Sequence, residues 1–111
     1  MVLITGSAIA QPENLAEALR ISLEHVHRSR LEPGCIFHAV SQDAENPKKL
    51  VFVEKWADGA AVKAHFAVPA SRVFAKALYG MATEPPVIEL FSAQTVSTSE
   101  LHRKAGCSDG G

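Results

Sequence analysis

The order of side-chain periodicities along the chain predicts an α+β fold on the split βαββαβ plan, a four-stranded antiparallel sheet with helices on one face. Three observations predict it. Four stretches alternate with a period of two, intervening stretches repeat apolar residues at helical spacing, and the second and third strands are joined by a short polar link suited to a hairpin.

Residues 2–10 alternate Leu3, Thr5, Ser7 and Ile9 with Val2, Ile4, Gly6 and Ala8, both rows small or apolar, and read as a first strand. Pro12 suits the first turn of a helix, where its missing N–H costs nothing. From Leu15 the stripe Leu15, Ala18, Leu19, Leu23, Val26 runs at helical spacing, with Arg20, Glu24 and Arg28 outside at four-residue intervals, and Pro33-Gly34 ends it. Residues 35–42 form a second strand, with Cys35, Phe37, Ala39 and Ser41 on one side and Ile36, His38, Val40 and Gln42 on the other. Residues 43–49, rich in Asn, Pro and Lys, connect it to a central strand over 50–56. Asp58-Gly59 turns into an alanine-rich helix that breaks at Val68-Pro69, since the residue before a proline avoids helical geometry. The next helix presents Val73, Phe74, Ala77, Leu78 and Met81 on one face and Arg72 and Lys76 on the other, with Gly80 near its end. After Pro85-Pro86, residues 87–96 read as the last strand.

The 111 residues amount to one domain, 1–96, followed by a polar tail, 97–111, that has little to bury and is expected to be disordered. A formal charge of −1 with no clustered basic face argues against a nucleic-acid partner. No run approaches the roughly 20 apolar residues of a membrane span. The apolar start lacks a preceding Lys or Arg and reads as a strand, not a leader. Cys35 and Cys107 lie in a strand and in the tail, which favours reduced thiols and a cytoplasmic location. His25, His27 and His102 have no partner at metal-ligand spacing and neither cysteine joins them, so no metal site is expected.

The strands are apolar on both faces, yet the helices suffice for one. A second copy, packed sheet to sheet about a two-fold axis, is the simplest cover, so a homodimer is expected.

The chain is organised around residues 50–65. Glu54 and Trp56, two apart on a strand, share a face, and the following helix carries His65 back over the same sheet. The run Pro33-Gly34-Cys35, the hairpin, Phe52-Val53-Glu54-Lys55-Trp56-Ala57-Asp58 and His65 nine residues after the tryptophan resemble the antibiotic biosynthesis monooxygenase family of dimeric α+β-barrel proteins. The resemblance covers residues 2–96. It implies a ferredoxin-like protomer, a sheet-to-sheet homodimer and a pocket between sheet and helices. Members oxygenate quinols and polycyclic phenols without metal or flavin, others degrade haem or isomerise sugar phosphates, and many have no established activity. No cofactor is therefore expected. Here the first strand has no Asn and Trp56 lies on a strand, unlike the haem-degrading pattern.

His65 and His38 are the candidate catalytic bases, since an imidazole titrates near pH 6.5. For His65 the structural alternative is a helix-end residue that holds a backbone carbonyl, and for His38 it is an interface position. Trp56 either stacks on a flat substrate or fills the core, and Glu54 is either a base or a carboxylate paired within the sheet. Phe37, Phe74, Tyr79 and Arg72 complete the candidate substrate-binding set, with core packing, a hydrogen-bonded rim and a solvated face as their respective alternatives. The expected function is cofactor-independent oxygenation of a small phenolic or quinol-like aromatic molecule. A non-catalytic, dimeric small-molecule-binding or stress-associated module is the second possibility, and it requires the pocket's polar groups to be paired among themselves. An enzyme acting on a phosphorylated metabolite ranks third, because most cations lie on outer faces.

Overall fold

The computed structural model describes residues 1–109, with side chains through Arg103; Cys107 and the closing Gly110-Gly111 lie outside the described side chains and residues. Its elements are β1 (Val2–Ile9), a 3-10 turn (Pro12–Asn14), α1 (Leu15–Ser29), β2 (Cys35–Gln42), β3 (Lys49–Trp56), α2 (Gly59–Ala67), α3 (Pro69–Met81), β4 (Val87–Ser92) and α4 (Thr98–Asp109). The strands form one antiparallel sheet in the order β2-β3-β1-β4, the ferredoxin-like arrangement, in which the first and third strands are central.

Local chemistry sets the boundaries. Asp58 caps α2 by accepting the Ala61 N–H at 2.8 Å, and Pro69 at the start of α3 fixes the break between the two helices. Gly34 has φ +83°, and a Cβ there would stand 2.6 Å from the Cβ of Ala61. The glycine thus allows both the left-handed turn after α1 and the close seat of α2. Outside α1, Arg20 and Arg28 bracket Glu24 at 3.2 and 3.0 Å, a solvated ladder of small energetic weight.

The core lies between the sheet and helices α1–α3. One cluster joins Ala8, Ala10, Ala18, Leu50, Phe52 and Leu78; a second joins Ile4, Trp56 and Val62. Between Phe52 and Trp56 on the same side of β3 stands Glu54, so the two apolar clusters are separated by polar groups. The opposite sheet face has no covering element among the described residues.

Several sequence expectations shift. Along α1 the buried residues are Ala18, Ser22, His25, Val26 and Ser29, while Leu23 is exposed, so the inward stripe is rotated from the one drawn through the leucines. On α3 the outward residues include Val73, and Ser71 and Leu78 point in. A β-bulge between Cys35 and Phe37 lets Ile36 fall out of register and puts those two residues on opposite faces. Over Thr98–Asp109, within the stretch where the sequence suggests no order, the chain is helical. Ser97 Oγ accepts the Glu100 N–H at 3.1 Å, the S-x-x-E capping signal, and every described side chain of α4 is exposed. Among the described residues no helix is long and apolar enough to cross a membrane.

Candidate functional site

The site is assembled on Glu54. Its Oε1 accepts the Trp56 indole N–H at 2.9 Å, and both side chains are buried under the helices. His38 stands opposite Glu54 on β2, and its Nε2 comes to 3.3 Å from the same oxygen without the alignment of a hydrogen bond. From α2, His65 turns inward one helical turn after Val62, with its ring tilted over Trp56 at 4.5 Å between centroids. Its Nδ1 lies 2.8 Å from Glu32 Oε1, in the loop after α1, and its Nε2 lies 3.9 Å from Glu54 Oε1. A donor bond from Nδ1 to Glu32 fixes the tautomer with Nε2 free.

His25 joins from α1. Its ring stacks on Phe74 at 4.1 Å and lies 5.3 Å from the rings of both His38 and His65. Nitrogens of His25, His38 and His65 all fall within 4.8 Å of one another, and all three residues are buried. Spacing along the chain offers His25 no partner, but the fold gathers it with the other two imidazoles, from α1, β2 and α2. Within this cluster His25 Nδ1 and both His38 nitrogens are buried without a hydrogen-bond partner.

The electrostatics follow from burial and contact. Burial, then the neighbouring His38 and His65, push the His25 imidazole down to about 3, so it is neutral. For Glu54 burial acts to raise the pKa, but the His38 ring and the Trp56 N–H outweigh it and hold the carboxyl below 4.5, as a carboxylate. Burial, then Glu32 and Glu54, raise the Cys35 thiol, so it is no ready nucleophile.

Beside this cluster the sheet and α3 enclose a cavity of about 370 Å³, within the size of small-molecule sites. Gly6 leaves the middle of β1 without a side chain, Phe52 and Glu54 complete the floor, and Phe74 and Leu78 form the roof. His25 and His65 supply its imidazole wall. The hollow opens beside β4, whose Ile88 lines it and is 56% exposed.

Of the candidates drawn from sequence, Glu54, Trp56, His38 and His65 converge, and Glu54, His65 and Phe74 line the cavity. Trp56 stands behind Glu54 rather than in the cavity wall, and His38 belongs to the cluster but is closed off from the hollow. Arg72 is exposed at the rim, with its Nε donating to the Phe66 carbonyl at 3.3 Å. Two candidates are corrected. Phe37, alternating with the inward His38, lies on the uncovered face, where Lys55 Nζ sits 5.6 Å over its ring, and Tyr79 points outward from α3, 62% exposed. His25, Glu32, Phe52 and Phe66 were not singled out. A helical stripe anchored on Ala18 and Val26 would have taken in His25, but no periodicity marks Glu32, a loop residue.

Fold and site together define a ferredoxin-like α+β domain whose largely apolar hollow carries two imidazoles and one carboxylate in its wall and an arginine at its rim. The chain belongs to the antibiotic biosynthesis monooxygenase family, whose family model matches residues 1–77. It is similar to a Deinococcus radiodurans protein bearing that family's name, with a TM-score of 0.83 and 25% identity over 88% of this chain and 97% of that one. A Nitrosomonas europaea structure of the same family name superposes with a TM-score of 0.80 at 16% identity, over 86% and 100% of the two chains. An uncharacterized protein of Synechocystis sp. (strain ATCC 27184 / PCC 6803 / Kazusa) is 25% identical over 97 residues, 87% of this chain. The match spans 66% of that relative's length.

Proposed function

We propose that the protein is an oxygenase of a small, flat phenolic or quinol-like compound, bound in the cavity against Phe52 and Phe74. The observation that carries this reading is the Glu32–His65 pair: a buried imidazole with one nitrogen held by a carboxylate at 2.8 Å and the other free on the wall of an apolar hollow. That is the geometry of a general base. Family membership supports oxygen as co-substrate.

Triplet oxygen attacks organic molecules slowly unless they are made electron-rich. His65 Nε2 takes the phenolic proton, and the resulting anion gives electrons to oxygen. The overall change leaves one oxygen atom in the ring as a new carbonyl and releases the other, with two hydrogens, as water. The dry walls keep the anion reactive, and Arg72 at the rim offers it a positive charge. A non-catalytic binding module would have its polar groups paired internally; the unpartnered nitrogens of His25 and His38 weigh against that alternative.

We further propose that the uncovered sheet face meets the same face of a second copy. Leu3, Val51 and Val53 lie on it, with Phe37 and Phe91 each more than 40% exposed. Sedimentation at micromolar concentration should give twice the chain mass, and a monomer would contradict it. The catalytic reading is tested by oxygen uptake with a panel of quinols and naphthol-like phenols, where His65→Ala should lower the rate by about 10² to 10⁴.

A further inference from the structure

The cluster behind the cavity has a property that a proton-transfer site does not require. Three imidazoles from separate elements face one point, each nearly or fully shielded from solvent, and His25 and His38 between them leave three ring nitrogens without a hydrogen-bond partner. Buried polar nitrogens are costly when unpaired, and most find a partner. A metal ion that accepts one lone pair from each ring gives His25 and His38 one partner apiece and so resolves two of the three.

We propose that His25, His38 and His65, with Glu54 as a fourth ligand, bind one divalent first-row transition metal ion at the inner end of the cavity. The donor set is three imidazole nitrogens and one carboxylate oxygen, which suits zinc, iron, cobalt, nickel or copper rather than calcium or magnesium. Glu54 Oε1 already lies 3.3 Å from His38 Nε2 and 3.9 Å from His65 Nε2. A tetrahedral site with bonds of about 2.0–2.1 Å separates its ligand atoms by about 3.3 Å. Side-chain rotations that draw the nitrogens together from at most 4.8 Å therefore close the site.

The surroundings match what ligating groups ordinarily have. Glu32 holds His65 Nδ1 at 2.8 Å, the carboxylate–imidazole arrangement that points the other nitrogen at a metal, and the Trp56 N–H orients Glu54. The cavity, walled by His25, His65 and Glu54, gives the ion its way in. The inference does not rest on the oxygenase reading. With a metal bound, His65 Nε2 is a ligand and not a base, so metal titration and oxygen uptake by chelator-treated protein report on the two separately.

The test is calorimetric titration of the untagged full chain, stripped with a chelator, using Zn²⁺, and absorption spectroscopy with Co²⁺ as a coloured replacement. The expected result is one Zn²⁺ per chain and a Co²⁺ spectrum of a four- or five-coordinate nitrogen and oxygen site, with His25→Ala weakening Zn²⁺ binding by about 100-fold or more. His38→Ala risks misfolding because that side chain is fully buried, so Glu32→Gln, at a partly exposed loop position, is the companion variant. It should weaken binding by about 10- to 100-fold. The double variant His27→Ala/His102→Ala removes two surface histidines and should leave binding unchanged. No saturable binding, a Co²⁺ spectrum of the hydrated ion, or affinity unmoved by both His25→Ala and Glu32→Gln overturns the proposal.

Discussion

The face of the sheet beneath the helices buries His38, Glu54 and Trp56, whereas the opposite face, uncovered among the described residues, presents Leu3, Val51, Val53 and Phe91. A stability argument alone would place these sets the other way round, with apolar side chains inside and ionisable groups out. The difference teaches that the two faces answer to different demands. Polar groups held in the interior at a cost in desolvation mark the place where chemistry or a ligand is served. Apolar side chains left outward on a sheet form the surface that the proposed second copy would cover. β4 links the two, being exposed on both sides, with Ile88 at the cavity and Phe91 on the open face.

The comparison breaks most severely at Trp56. It is fully buried and joins the apolar cluster to Glu54. Trp56→Ala should destabilise the fold by about 3–5 kcal/mol in chemical denaturation. Trp56→Phe, which keeps most of the packing but loses the indole N–H, should cost less, about 1–3 kcal/mol.

A charge on the open face tests the other half. Val53→Asp should leave the far-ultraviolet circular dichroism intact and weaken self-association by about 100-fold or more, since an unpaired charge in a dry interface costs several kcal/mol. A Val53→Asp protein that sediments as wild type would show that this face is not the interface.

Acid should weaken the covered face first. The unfolded chain protonates His25 near 6.5, but the folded, metal-free protein holds it at about 3, where burial dominates and His38, His65 and Arg28 oppose the charge while Glu54 favours it. The stability this residue supports is full above 6.5 and falls as pH drops from there toward 3, by up to about 1.4 kcal/mol per pH unit. Glu54, held below 4.5, adds stability that is present above 4.5 and is lost as pH falls through its lower folded value. Urea midpoints between pH 7 and 5 should therefore decline, and His25→Gln should flatten the decline. The smallest effect belongs to the solvated ladder: Arg20→Ala should change stability by less than about 1 kcal/mol, screened by salt, because its partners Glu17 and Glu24 are also exposed.

Much of this could be read in the chain. Asp58-Gly59 and Val68-Pro69 mark the ends of α2, and the two-residue spacing of Glu54 and Trp56 with His65 on the next helix gives their convergence. What could not be read has physical causes. The bulge at Ile36 turns Cys35 to the side of Trp56, so strict alternation, which groups Cys35 with Phe37, sends Cys35 to the wrong face. Ser22 and His25 look like surface residues to any count of apolar positions, yet both lie on the inward stripe of α1, and His25 reaches the cavity wall. The three-histidine cluster spans β2 and two helices, and no local spacing encodes it.

The central claim is that the hollow under the helices is a place where His65 takes a proton from an aromatic substrate that then reacts with oxygen. Its most direct measurement is oxygen consumption by chelator-treated protein across a panel of quinols and naphthol-like phenols, alongside folded His65→Ala. The account predicts uptake for at least one phenol, reduced by about 10² to 10⁴ in the variant. Uptake no greater than buffer for every compound, or a rate that His65→Ala leaves unchanged, would contradict it.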